Sequence, residues 1–172
     1  MDLVFDRSAS DVQYATQLRN KVLTQGFNAL TDEEKADWQT HALKGFYNYT
    51  DKNRVESAVE QINKILIKYG YMNNTLTIVK DRNMKYIDDK ASITRYLNNI
   101  QALIDNFYVL PVTPELVENF DMLDITKANN IEKILYDINN ILVGTLDYAV
   151  RSGVANCGQN RIWQNRFRRG WE

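Results

Sequence analysis

Residues 44–71, KGFYNYTDKNRVESAVEQINKILIKYGY, constrain the fold more than any other part of the chain. Thr50 and Asp51 can accept hydrogen bonds from the unpaired N–H groups of a starting helix, and Gly70 can take the left-handed conformation that ends one. Between them Val55, Ala58, Val59, Ile62, Ile65, Leu66 and Tyr69 recur at steps of three and four, so they share one face of a helix. Seven such side chains represent roughly 10–20 kcal/mol of gross burial, comparable with the whole net stability of a domain. A chain built around this stripe has to cover it, and the stripe is core rather than a ligand groove.

Two further stripes have the same period. Ile93, Tyr96, Leu97, Ile100, Leu103, Ile104 and Phe107 define a helix that Pro111 and Pro114 close. Ile131, Ile134, Leu135, Ile138, Ile141, Leu142, Thr145, Leu146 and Ala149 define the longest, from a cap at Thr126 to a stop at Gly153. Ahead of them Ser8 and Asp11 have capping-box spacing before Val12, Ala15, Leu18 and Val22, and Thr31 with Glu34 forms a second box leading to about Leu43. Thr113, Pro114 and Glu115 read as the start of a short helix through Phe120. From 71 to 89 the helical period fails, and Leu76, Ile78 and Met84, Tyr86 suggest a short β-hairpin near 75–87. The expectation is a mainly α protein, an amphipathic helical bundle, either antiparallel or an elongated module, with an extended C-terminal tail.

The 172 residues fit one domain, divided here into a helical body, 1–153, and a basic aromatic segment, 154–172. A formal net charge of −1 argues against a surface built throughout for nucleic acid or an anionic membrane. The charge is uneven: five arginines against Glu172 give +4 from residue 151 onward, leaving −5 on the rest. The N-terminus lacks a signal-peptide pattern, and no window approaches the roughly 20 apolar residues that span a bilayer. Asn48-Tyr49-Thr50 and Asn73-Asn74-Thr75 match the glycosylation acceptor pattern by accident if the chain is not secreted.

Catalytic constellations are weak. One cysteine, Cys157, and one histidine, His41, make neither a disulfide nor a zinc site, and neither has a partner in sequence that would activate it. Asp88-Asp89 and Glu33-Glu34 are adjacent carboxylates, which point in different directions rather than facing one another. The seven glycines are scattered and form no phosphate-cradling loop. The expectation is no enzyme, no cofactor and no metal. The local feature that does suggest function is GQNRIWQNRFRRGWE, in which Arg161, Trp163, Arg166, Phe167, Arg168, Arg169 and Trp171 alternate charge with aromatic surface. Such a segment suits a protein partner, a nucleic acid, or the chain's own bundle.

LVFDRSASDVQYATQLRN, LTDEEKADW, KGFYNYTDKNRVESAVEQI, RYLNNIQALI and ANNIEKILYDINNI resemble landmarks of a group of virion proteins from tailed phages and prophages of Gram-positive bacteria. The resemblance spans most of residues 3–142, and its most specific piece is KGFYNYTDKNRVESAV. It implies a structural, oligomeric component of the distal tail, baseplate or tail fibre, assembled in the host cytoplasm and docked to other tail proteins. It carries over no catalytic residues. An alternative of another class is a small nucleic-acid-associated protein that binds through the arginines of the C-terminal segment, with the strong salt dependence such contacts bring.

Overall fold

The structure, a computed structural model, describes residues 1–40, 43–121 and 123–151. It is mainly helical: α1 is Ala9–Gln25, α2 Asp32–Thr40, α3 Tyr49–Lys68, α4 Lys90–Asn106 and α5 Ile125–Arg151, with one 3-10 turn at Phe27–Ala29.

The capping signals act where the sequence places them, with two shifts. Ser8 and Asp11 close the box on α1, and Thr31 and Glu34 exchange side-chain-to-backbone bonds of 2.8 and 3.2 Å at α2. At α3 the cap is Asn48, which accepts from Thr50 N, while Asp51 reaches back to Asn48 N at 2.8 Å. At α5 the carboxylate of Asp124, not Thr126, accepts from Lys127 N at 2.8 Å. In both cases an earlier side chain of the right reach captures the free N–H groups, so the helix starts before the residue expected to cap it. Gly70 ends α3's turn at φ 79°, where a side chain would be strained. The expected stop at Gly153 lies outside the described residues.

Val55, Ala58, Val59, Ile62 and Leu66 of α3 pack with Tyr96, Leu97, Ile100 and Leu103 of α4 and Ile131, Ile134, Leu135, Ile138 and Leu142 of α5 in one core. Tyr69 leaves the stripe as the exposed C-cap of α3.

These three helices are parallel, not antiparallel. Lys52 and Glu56 near the start of α3 meet Asp88 and Arg95 at the start of α4, whereas Tyr71 beyond the end of α3 meets Phe107 beyond the end of α4. Asp51 and Arg54 lie level with Glu132, only eight residues into α5, so the buried part of α5 can cover α3's stripe only by running the same way. Parallel neighbours need connections as long as the helices, roughly 25 Å for a helix of α4's length. The chain supplies them in residues 69–89 and 107–124.

Among the described residues neither crossover contains a strand or helix. The expected hairpin at 75–87 is instead an irregular extended strap whose backbone bonds to side chains of α3 and α4 rather than to a second strand, with a turn at 83–86 closed by Tyr86 N to Asn83 O at 3.0 Å. The expected helix at 113–120 is also absent. Its apolar side chains Leu116, Val117 and Phe120 are drawn onto the core, and packing there replaces the helical bonds. Phe107 is already extended, at φ −143° and ψ 161°, so α4 ends before the prolines are reached.

α1 follows directly on the arm that meets Asp51 and Glu132, passes close to the backbone at Gly45, and carries α2 through Lys21–Glu34 and Tyr14–Asp37. Gly45 permits this approach, because a Cβ there would lie 2.2 Å from the backbone oxygen of Asp11.

Candidate functional site

The N-terminal arm, residues 1–8, is held by charge. Arg7 Nη2 donates to Asp51 Oδ1 at 2.8 Å and to Glu132 Oε1 at 2.6 Å, and Arg54 bridges the same two carboxylates, with Nε 3.0 Å from Glu132 Oε2. Backbone groups join in: Val4 N donates to Glu132 Oε2 at 2.6 Å, and Asn129 exchanges bonds with Arg7 N and O at 3.1 and 2.9 Å. The Arg7 guanidinium also lies 5.3 Å from the centre of the Tyr47 ring. Burial by itself would lower the pKa of Arg54, but Glu132 and Asp51 outweigh it and raise it.

Beside this cluster the Tyr47 and Tyr96 hydroxyls meet at 2.6 Å, with Phe120 edge-on to both rings. Burial pushes both phenols well up from their ordinary range, so at neutral pH they stay protonated and serve as hydrogen-bonding groups.

A second cluster holds the first crossover. Arg82, whose side chain is 1% exposed, donates to Glu56 Oε1 at 3.2 Å, Asp88 Oδ1 at 3.1 Å and Val79 O at 2.6 Å. Arg95 shares Glu56 at 2.7 Å, and Lys52 and Ser92 share Asp88 at 2.6 and 2.8 Å. Burial tends to raise the pKa of Asp88, but its bonds from Lys52, Ser92 and Arg82 prevail and hold it below the usual carboxylate value. Along α3, Asn53, Glu56 and Asn63 point to the strap and bond Arg82 N and O, Val79 N, Leu76 N and Asn74 O. The arrangement acts as two clamps, in which carboxylates of α3 and α5 fix extended chain through arginine and backbone N–H groups.

Among the residues weighed for chemistry, Asp88 and Asp89 divide into a clamp member and the cap of α4, and Glu34 pairs with Lys21 at 2.6 Å. His41 and Cys157 lie outside the described residues, as do Arg161, Trp163, Arg166, Phe167, Arg168, Arg169 and Trp171. Among the described residues no group of three or more His, Cys, Asp or Glu could hold a metal ion, and no helix is long and apolar enough to cross a membrane.

Sequence reasoning missed the clamps. Their signal is a charge at stripe spacing: Glu132 stands four residues after Ala128 and three before Leu135, and Glu56 three before Val59, all buried. A charge on that face must find a buried partner. No family model, no curated protein and no solved structure matches the chain.

Proposed function

We propose that this chain is a non-enzymatic structural protein of a phage distal tail, a baseplate or tail-fibre component, which assembles through helical packing and its C-terminal docking segment. The observation that carries the reading is the use made of ionisable side chains. Arg7, Asp51, Arg54 and Glu132 pin the N-terminal arm, and Glu56, Arg82, Asp88 and Arg95 pin a crossover. Buried ion networks of this kind do little for net stability, yet they select one placement for a segment that apolar contact alone would leave free to slide. A fixed shape suits a part that repeats identically in an assembly, and the resemblance of residues 3–142 to distal-tail virion proteins points the same way.

The test is localisation. Mass spectrometry and electron microscopy of purified particles should find the chain in the tail, and truncation after Gly153 should leave a folded helical body that no longer enters particles. Changing Trp163, Phe167 and Trp171 to Ala with every arginine retained should fail in the same way, because charge without desolvated anchors holds little. Absence from the virion, or normal incorporation of the truncated protein, would sink the reading.

A further inference from the structure

The second crossover, residues 107–124, has two unlike faces. Leu116, Val117 and Phe120 turn inward onto the core, whereas Tyr108, Leu110 and Val112 turn outward at 62%, 39% and 81% exposure. Exposed Glu115, Glu118 and Asp121 follow on the outer side, and no lysine or arginine occurs between 105 and 124. Asp137 ties the crossover to α5 through Thr113 at 3.0 Å, but Glu115 and Glu118 make no hydrogen bond or ion pair among the described residues. An apolar strip that runs into unpaired carboxylates fits an occupant combining large apolar anchors with cations.

This chain contains such an occupant. Residues 152–172 carry Trp163, Phe167 and Trp171 among four arginines and one glutamate, a net +3. They leave α5 at Arg151, and because α5 runs parallel to α4, that end of the bundle is where the crossover begins. A segment of 21 residues can reach at most about 70 Å, enough to follow the crossover along the bundle. Tethering at that range places the segment at an effective concentration of about a millimolar over its own chain.

We propose that residues 152–172 seat on the outward face of 107–124 of the same chain, with aromatic side chains over Tyr108, Leu110 and Val112 and arginines against Glu115, Glu118 and Asp121. The seat is a property of the isolated chain and does not depend on the virion reading. A neighbour that takes the segment in an assembly has to displace it from this seat.

The experiment uses the full chain in dilute solution. Tryptophan emission, corrected for Trp38 with a W163F/W171F variant, should be blue-shifted, and amide hydrogen exchange should show 159–171 protected at every protein concentration tried. E115Q/E118Q/D121N and, separately, Y108S/V112S should each shift the emission to the red and lower that protection about tenfold, with helical circular dichroism unchanged. High salt should reproduce part of the first effect. A red-shifted, unprotected segment in the wild type would overturn the proposal, as would protection that survives both variants. Protection that grows with protein concentration would overturn it too, by moving the contact between copies.

Discussion

The two crossovers span the same three parallel helices and are held by opposite means. Residues 69–89 carry three basic and three acidic side chains, and they are stitched to α3 and α4 by Asn53, Glu56, Asn63, Arg95 and Asn99, with Arg82 buried and the Asp88 side chain only 6% exposed. Residues 107–124 have four acidic and no basic side chains, and they hold on through Phe107, Val109, Leu116, Val117, Phe120 and Leu123, with Thr113 to Asp137 as their long-range polar side-chain bond. A polar stitch is directional and fixes register, whereas apolar contact fixes only proximity. The first crossover therefore presents a defined surface, and the second turns Glu115 and Glu118 outward with no ion pair among the described residues.

The largest effect should come from leaving a buried charge without its partner. Glu56→Leu leaves the buried Arg82 guanidinium with Asp88 as its one carboxylate, takes the carboxylate from Arg95 and frees Val79 N, and it should cost about 3–5 kcal/mol in chemical denaturation. Arg82→Met should cost clearly less, because Glu56 keeps Arg95 and Asp88 keeps Lys52. Equal costs would mean that the network does not divide as the geometry indicates.

On the apolar side, Phe120→Ala removes the ring packed on Tyr47 and Tyr96 and should cost about 2–3 kcal/mol, nearly independent of salt. A strong salt dependence there would erase the contrast between the crossovers.

Acid should separate the two as well. The folded pKa of Asp88 is depressed, so its contribution is fully present above its unfolded value of about 3.8 and is lost as pH falls through the lower folded value. Glu60, hydrogen-bonded by Lys64 and Lys80, is held at about 2, but the pairs face solvent and are screened, so its contribution to the acid response is small. Amide exchange near Val79 and Arg82 should therefore accelerate below about pH 4 relative to that near Val109 and Val117, once intrinsic rates are corrected. Uniform acceleration across both crossovers would count against a charge-based hold on the first.

The smallest effect belongs to the exposed end of the stitch. Lys80→Ala removes a solvent-facing pair with Glu60 and should leave the melting midpoint unchanged in moderate salt. A measurable drop would show that the strap depends on its surface pairs as well as on its buried ones.

Much of this was legible in the residues, and its limits are specific. Helices form from contacts within one turn or two, so the stripes at Val55 to Leu66, Ile93 to Leu103 and Ile131 to Leu142, and the boxes at Ser8/Asp11 and Thr31/Glu34, could be read directly. The irregular crossovers were misread as a hairpin and a short helix, because alternation and a proline start are weak signals once the side chains have a core to reach. The length of those connections was itself a clue to parallel helices, since antiparallel neighbours are joined by short loops.

What the sequence by itself determined was where the long helices lie and which apolar face each buries, because both follow from spacing along the chain. Only the tertiary structure decided the direction of the helices and the partners of the buried charges. Arg7 finds Glu132 across 125 positions and Glu56 finds Arg82 across 26, and no local pattern encodes a pairing that exists only once three helices are side by side. The physical reason is range: the period that marks a helix and its apolar face is set by residues three and four apart, whereas a buried charge is stabilised by whatever the fold brings to it.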